Sequence, residues 1–212
     1  ECKKEKNILA YVKAKSHLGH RIIVSKSGLN KAFPEKYNNY NDPILFNING
    51  LSLYSSTLNQ KTLEMMNNLG YYSINVRRIS YFGGTNLTNA LLGVYYRVRQ
   101  WDNHYYVEEN YNAPSLGFMV DKDVYGYKMK NGHALDNQDR LWQALNGNST
   151  EYLKNATLNS MKQTTTDGKT LYTYQMTTRA SGPLYFYKAP LNYDKTKIYV
   201  DGKRVKTSNM NV

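Results

Sequence analysis

Residues 158–178 read LNSMKQTTTDGKTLYTYQMTT, and the fold class turns on them. Asp167-Gly168 stands between two alternating segments, Leu158–Thr165 and Lys169–Thr178. An Asp-Gly pair tolerates the positive φ angles of a tight two-residue turn, so the stretch predicts a β-hairpin. Alternating threonine and tyrosine suit a pleated, half-covered strand. Further on, Leu184–Tyr187 and Lys197–Val200 read as strands, and Asp201-Gly202 turns the chain into Lys203–Val205. The part after Asn148 therefore predicts an antiparallel sheet or partial β-sandwich. A hairpin ending at Val205 leaves few strands to complete a sandwich, so further strands are expected beyond Val212.

Before Asn148 the texture differs, with helix and strand signals intermixed. Lys3–Lys15 predicts a helix with Ile8, Leu9 and Val12 on one face. Gln60–Leu69 predicts another, with Leu63, Met66 and Leu69 inward and Gly70 as its stop. Asn86–Leu92 ends at Gly93, and Asn137–Leu145 follows Asp136 as an N-cap and ends before Gly147. Strands are predicted at Arg21–Val24, Ile44–Ile48, Leu51–Ser56, Ile74–Ile79, Val94–Arg99, Tyr105–Val107 and Gly117–Val120, with a loop at Phe33–Asp42. The fold class is α+β. A mixed α/β part spans residues 1–147 and an antiparallel part spans residues 148–212.

The chain carries 28 Lys+Arg against 16 Asp+Glu, a net charge of +12. That balance implies an anionic partner or surface. The charge is also uneven. Between Met65 and Trp101 there is no acidic residue, while Arg77, Arg78, Arg97 and Arg99 fall inside. A second group gathers Lys195, Lys197, Lys203, Arg204 and Lys206. Arginine offers a planar fork that suits phosphate. On the predicted strand Val94–Arg99, Tyr95, Arg97 and Arg99 share one face. With Arg77, Arg78 and Trp101 they form the candidate anion- and acceptor-binding group. Tyr supplies 21 residues against 5 Phe and 2 Trp. Tyrosine suits half-buried strands and the stacking of sugars alike.

Other chemistries find little support. The histidines His17, His20, His104 and His133 lie in no nucleophile motif. His17 and His20 have no third ligand, and Asp121-x-Asp123 is an ordinary turn pattern, so no metal or cofactor is expected. Glycosidase carboxylates would come from Glu108, Glu109, Asp121, Asp123, Asp136 and Asp139, with no pair singled out. Gly83-Gly84 lacks the Lys-Ser/Thr of a phosphate loop. The basic charge fits nucleic acid, but no nucleic-acid reading motif accompanies it. The lone Cys2 forms no internal disulfide. No stretch reaches the ~20 apolar residues of a membrane span, and no signal peptide stands at Glu1, so the chain reads as a water-facing mature protein or piece.

Five segments in order resemble the YfhO family of bacterial multi-spanning membrane proteins. They are Asn49-Gly50-Leu51-Ser52-Leu53-Tyr54-Ser55-Ser56-Thr57, Leu91-Leu92-Gly93-Val94-Tyr95-Tyr96, Glu109–Phe118, Asn137-Gln138 before Leu141 and Leu145, and Ile198–Arg204. Pro114 stands one place earlier than in the family pattern, and Tyr95 stands where lysine is common. The resemblance implies a membrane glycosyltransferase that decorates teichoic acid from a polyprenyl-phosphate sugar. This chain would be an extracytoplasmic region of a Gram-positive cell membrane protein, with flanking spans outside it. The family's catalytic carboxylate has no counterpart here, so no catalytic residue is carried over. The partner implied is an anionic envelope polymer or sugar. The alternative is a non-catalytic module that binds envelope carbohydrate or polyanion.

Overall fold

Helix α1 (Cys2–Lys15) buries Glu5, Leu9 and Val12, spaced as one helical face. That face covers a three-stranded sheet of order β1-β4-β5, with β1 at Arg21–Lys26, β4 at Val94–Trp101 and β5 at His104–Glu109. β1 runs parallel to β4, and β5 antiparallel to it. Leu9, Val12, Ile22, Val24, Ile48, Tyr96 and Val98 form the core between helix and sheet. This is the computed structural model of the chain, describing residues 2–17, 19–26, 29, 40–71, 76–79, 84–114, 117–187 and 196–205.

The parallel β1–β4 pair needs a long crossover. The chain between them supplies α2 (Asp42–Leu45), β2 (Leu53–Tyr54), α3 (Gln60–Asn68), β3 (Arg78–Ile79) and α4 (Asn86–Leu91). β2 and β3 make a separate two-stranded ladder. Leu63, Met66, Leu69, Tyr71 and Ile79 join Leu141 and Leu145 of α5 (Ala134–Asn146) in a second core.

Buried amides stitch this second core. Asn137 Nδ2 donates to Asn68 O at 2.9 Å, and Gln138 Nε2 donates to Leu69 O at 2.8 Å. The Thr85 hydroxyl, which also caps α4, donates to Gln138 Oε1. Each amide satisfies a carbonyl left open at the end of α3, which a buried helix end requires. That gives the Asn137-Gln138 pair a structural task.

The later part is thinner. β6 (Thr157–Thr166) and β7 (Lys169–Thr177) pair as a hairpin, and β8 (Ile198–Val200) pairs with β9 (Lys203–Val205). Every residue of β6 is exposed. The fold is therefore mixed α+β with small sheets, the first of them part parallel.

Several local expectations are corrected. Ile44–Ile48 is not a strand: Pro43 sits in the first turn of α2, where its fixed φ favours a helix start. Gly117–Val120 has no strand partner, and its Met119 is exposed. Leu184–Tyr187 is likewise not a strand. Helix α5 begins at Ala134 with His133 as N-cap, so Asp136 lies inside the first turn, where a carboxylate complements the helix dipole. Of Ile74–Ile79, β3 keeps Arg78–Ile79, while residues 72–75 and most of the loop before Asp42 lie outside the described residues. So do Lys195 and Lys206 of the second basic group.

Candidate functional site

The β4–β5 hairpin turns at Asp102-Asn103, both with positive φ (46° and 61°). Its register sets Arg97 opposite Glu108, Arg99 opposite Tyr106 and Trp101 opposite His104. The alternation of a strand puts these pairs on one face, away from α1. Arg99 Nη2 meets Glu108 Oε1 at 2.8 Å, and its guanidinium lies 5.9 Å from the Tyr106 ring centre. Both ion-pair partners are about half exposed, at 53% and 44%. Such a pair is worth roughly 0–1 kcal/mol in water. A phosphate can therefore compete for this guanidinium at small cost. Trp101 ends the row, exposed at 60%.

Arg97 is partly buried and turns toward the second core. Burial pushes the Tyr71 hydroxyl up to about 12, opposed by Thr88 and by the guanidiniums of Arg97 and Arg21. Arg21 also donates to Leu92 O.

The other expected site residues are placed elsewhere. Arg78 lies on the β2–β3 ladder opposite Tyr54, its guanidinium 5.2 Å from the Tyr40 ring centre. Burial raises the Tyr40 pKa, and Arg78 opposes it. Arg77 is exposed in the turn before β3, and its carbonyl accepts from Ser55 N at 2.8 Å. Tyr95 stacks on His20 at 4.3 Å and meets Tyr96 and Tyr111 edge-on. The structure thus brings Arg97, Arg99 and Trp101 together and sets Arg77, Arg78 and Tyr95 in two other settings. His104, Tyr106 and Glu108 complete the face and were missed by the sequence reading. The signal was available: Asp102-Asn103 is a two-residue hairpin turn between alternating segments.

Several of the carboxylates weighed for chemistry are otherwise engaged. Asp121 Oδ1 accepts from Asp123 N at 2.9 Å, as in an ordinary capped turn. Asp139 Oδ1 accepts from Tyr152 N and Leu153 N at 2.6 and 2.8 Å. Asp136 meets His133 at 3.4 Å. Among the described residues no group of three His, Cys, Asp or Glu is arranged to hold a metal ion.

Two carboxyl groups under the sheet stand out instead. Glu5 is fully buried and Asp42 nearly so. Glu5 Oε2 accepts from the Tyr105 hydroxyl at 3.0 Å, whereas neither oxygen of Asp42 has a hydrogen-bond partner. Burial first, and Glu5 second, raise Asp42 from 3.8 to about 8. Asp42 is thus largely protonated at neutral pH. It is a structural oddity of the core and lies on the α1 side of the sheet, not on the arginine face.

The exposed β4–β5 face offers guanidinium, indole and phenol groups side by side. Groups of these kinds can pair with anions and stack on flat rings. No described helix is long and apolar enough to cross a membrane. A family model described as bacterial membrane protein YfhO matches residues 2–211. No curated protein and no solved structure matches the chain.

Proposed function

The chain belongs to the YfhO family of bacterial membrane proteins, and from that membership we propose that it is an extracytoplasmic region of a membrane glycosyltransferase. In this reading the whole protein decorates teichoic acid with sugar taken from a polyprenyl-phosphate carrier. This region holds the anionic acceptor near the membrane-embedded centre. One observation carries the reading: a chain of net charge +12 presents Arg99, in an exposed ion pair with Glu108, beside Trp101 and Tyr106.

A phosphodiester polymer meets such a face through repeated weak contacts. Each guanidinium that neutralises a phosphate releases a counterion, so affinity depends steeply on salt. Sugar or polyol units between phosphates pack on the exposed rings. Holding the acceptor raises its local concentration at the site of transfer, a gain that needs no catalytic group in this region.

The test replaces Arg77, Arg78, Arg97 and Arg99 by glutamine in the full-length protein and reads wall-polymer glycosylation by mass spectrometry. The reading expects decoration to fall roughly tenfold at unchanged protein level. Undiminished decoration would overturn it.

A further inference from the structure

A groove of about 440 Å³ lies between α5 with the start of α4 on one side and residues 152–156 and 176–186 on the other. Its volume falls in the ~300–1,000 Å³ range of small-ligand sites. Three rings border it: Tyr152, Tyr185 and Phe186.

The walls are fixed in place by their own hydrogen bonds. Asp139 binds the backbone of Tyr152 and Leu153, and Asn146 Nδ2 donates to the Tyr152 hydroxyl at 2.7 Å. Asn86 N donates to the Tyr185 hydroxyl at 3.3 Å. Trp142 Nε1 donates to Leu87 O at 3.0 Å, tying α4 to α5 under the groove. Two of the rings are thereby oriented before any ligand arrives, which lowers the entropy cost of binding.

The polar groups along the groove point to the ligand. Asn155, Thr178 and Ser181 border it, and their side chains make no hydrogen bond among the described residues. A wholly apolar ligand would leave them unsatisfied, at a cost. A charged ligand is poorly matched: Asp136 and Asp139 balance Lys154 and Arg179 along the walls, so the groove carries no net charge of its own. What remains is an uncharged ligand with both apolar faces and many hydroxyls.

We propose that this groove binds a short neutral saccharide. The rings pack on the C–H faces of the sugar, and Asn155, Thr178 and Ser181 bond its hydroxyls. The site uses none of the arginines of the β4–β5 face and stands whether or not that face binds a polyanion.

The test titrates the chain with maltose, cellobiose and chitobiose, read by amide chemical shifts in salt concentrated enough to screen surface charge. Saturable shifts at Tyr152, Leu153, Asn155 and Thr178 with at least one disaccharide are expected. Phe186 is 54% exposed, so Phe186→Ala leaves the fold intact; it is expected to weaken binding roughly fivefold, about 1 kcal/mol. No saturable shift with any of the three, shifts confined to β4–β5, or unchanged affinity in Phe186→Ala would each overturn the proposal. Because salt silences phosphate contacts, failure here leaves the acceptor reading standing.

Discussion

The β4–β5 hairpin turns through Asp102-Asn103 and the β6–β7 hairpin through Asp167-Gly168, and all four turn residues take positive φ. Local chemistry is thus nearly the same, but the surroundings are opposite. Along β4, Val94, Tyr96, Val98 and Gln100 are buried, while β6 has no buried residue. β4 has β1 on its other edge and α1 on its inner face. Among the described residues β6 pairs with β7 and with no other strand. The pair teaches that turn residues specify a hairpin, whereas burial depends on what the rest of the chain brings to it. An isolated two-stranded ladder is marginally stable in water, so the β6–β7 element depends chiefly on its turn and cross-strand pairs, with Tyr174 packed on Phe186.

The largest contrast comes from cavity mutations. Leu9→Ala, under the first sheet and 1% exposed, is expected to cost about 3 kcal/mol in urea unfolding. Leu171→Ala in the second hairpin, 63% exposed, is expected to stay within ~0.5 kcal/mol. Equal losses would break the comparison.

A second contrast uses pH. The Asp42 pKa is raised from 3.8 to about 8 in the folded chain, so the folded state holds a proton that the unfolded state releases. Its contribution to stability is complete below 3.8 and is lost as pH rises to about 8. Asp42→Asn should remove that slope, so the variant gains on the parent steadily as pH rises from 3.8 to about 8. Thermal unfolding across this pH range checks it; parallel curves would count against a buried protonated Asp42.

Close packing gives a third. A Cβ at Gly84 would stand 2.5 Å from the Tyr71 hydroxyl oxygen and 2.9 Å from its ring carbon. Gly84→Ala should cost about 1–2 kcal/mol, and adding Tyr71→Phe should recover part of it in a double-mutant cycle. Gly168→Ala is the smallest case. The added methyl meets nothing, and the cost is the φ of 69° alone, roughly 1 kcal/mol. Amide exchange should quicken across β6–β7 while the urea midpoint of the first sheet stays put.

The same two hairpins explain how much was legible in advance. Asp167-Gly168 is an unmistakable local signal, and the β6–β7 hairpin follows from it. The helical faces of Leu63, Met66 and Leu69, and of Leu141 and Leu145, were readable because periodicity is local too. Ile44–Ile48 misled because a short apolar run does not state its period, and Pro43 decided for a helix. The parallel pairing of β1 with β4 joins residues some seventy apart, as in Arg21 against Val94, and no local pattern encodes it. At the site, Arg97 and Arg99 were readable as one face from alternation, while the strand's extension to Trp101 was not. The stacking of Tyr95 on His20 is a tertiary contact that no local pattern states, and the pairing of Glu108 with Arg99 depends on the register of β4 with β5.

The proposed role depends most on the exposed β4–β5 face holding a phosphodiester polymer. Calorimetric titration of the chain with polyglycerol phosphate over a range of salt concentrations tests it most directly. The account predicts that affinity falls linearly on a log–log plot against salt, and that replacing Arg97 and Arg99 by glutamine lowers both the affinity and the slope. Binding with an unchanged slope in that variant, or no binding at low salt in the parent, would contradict it.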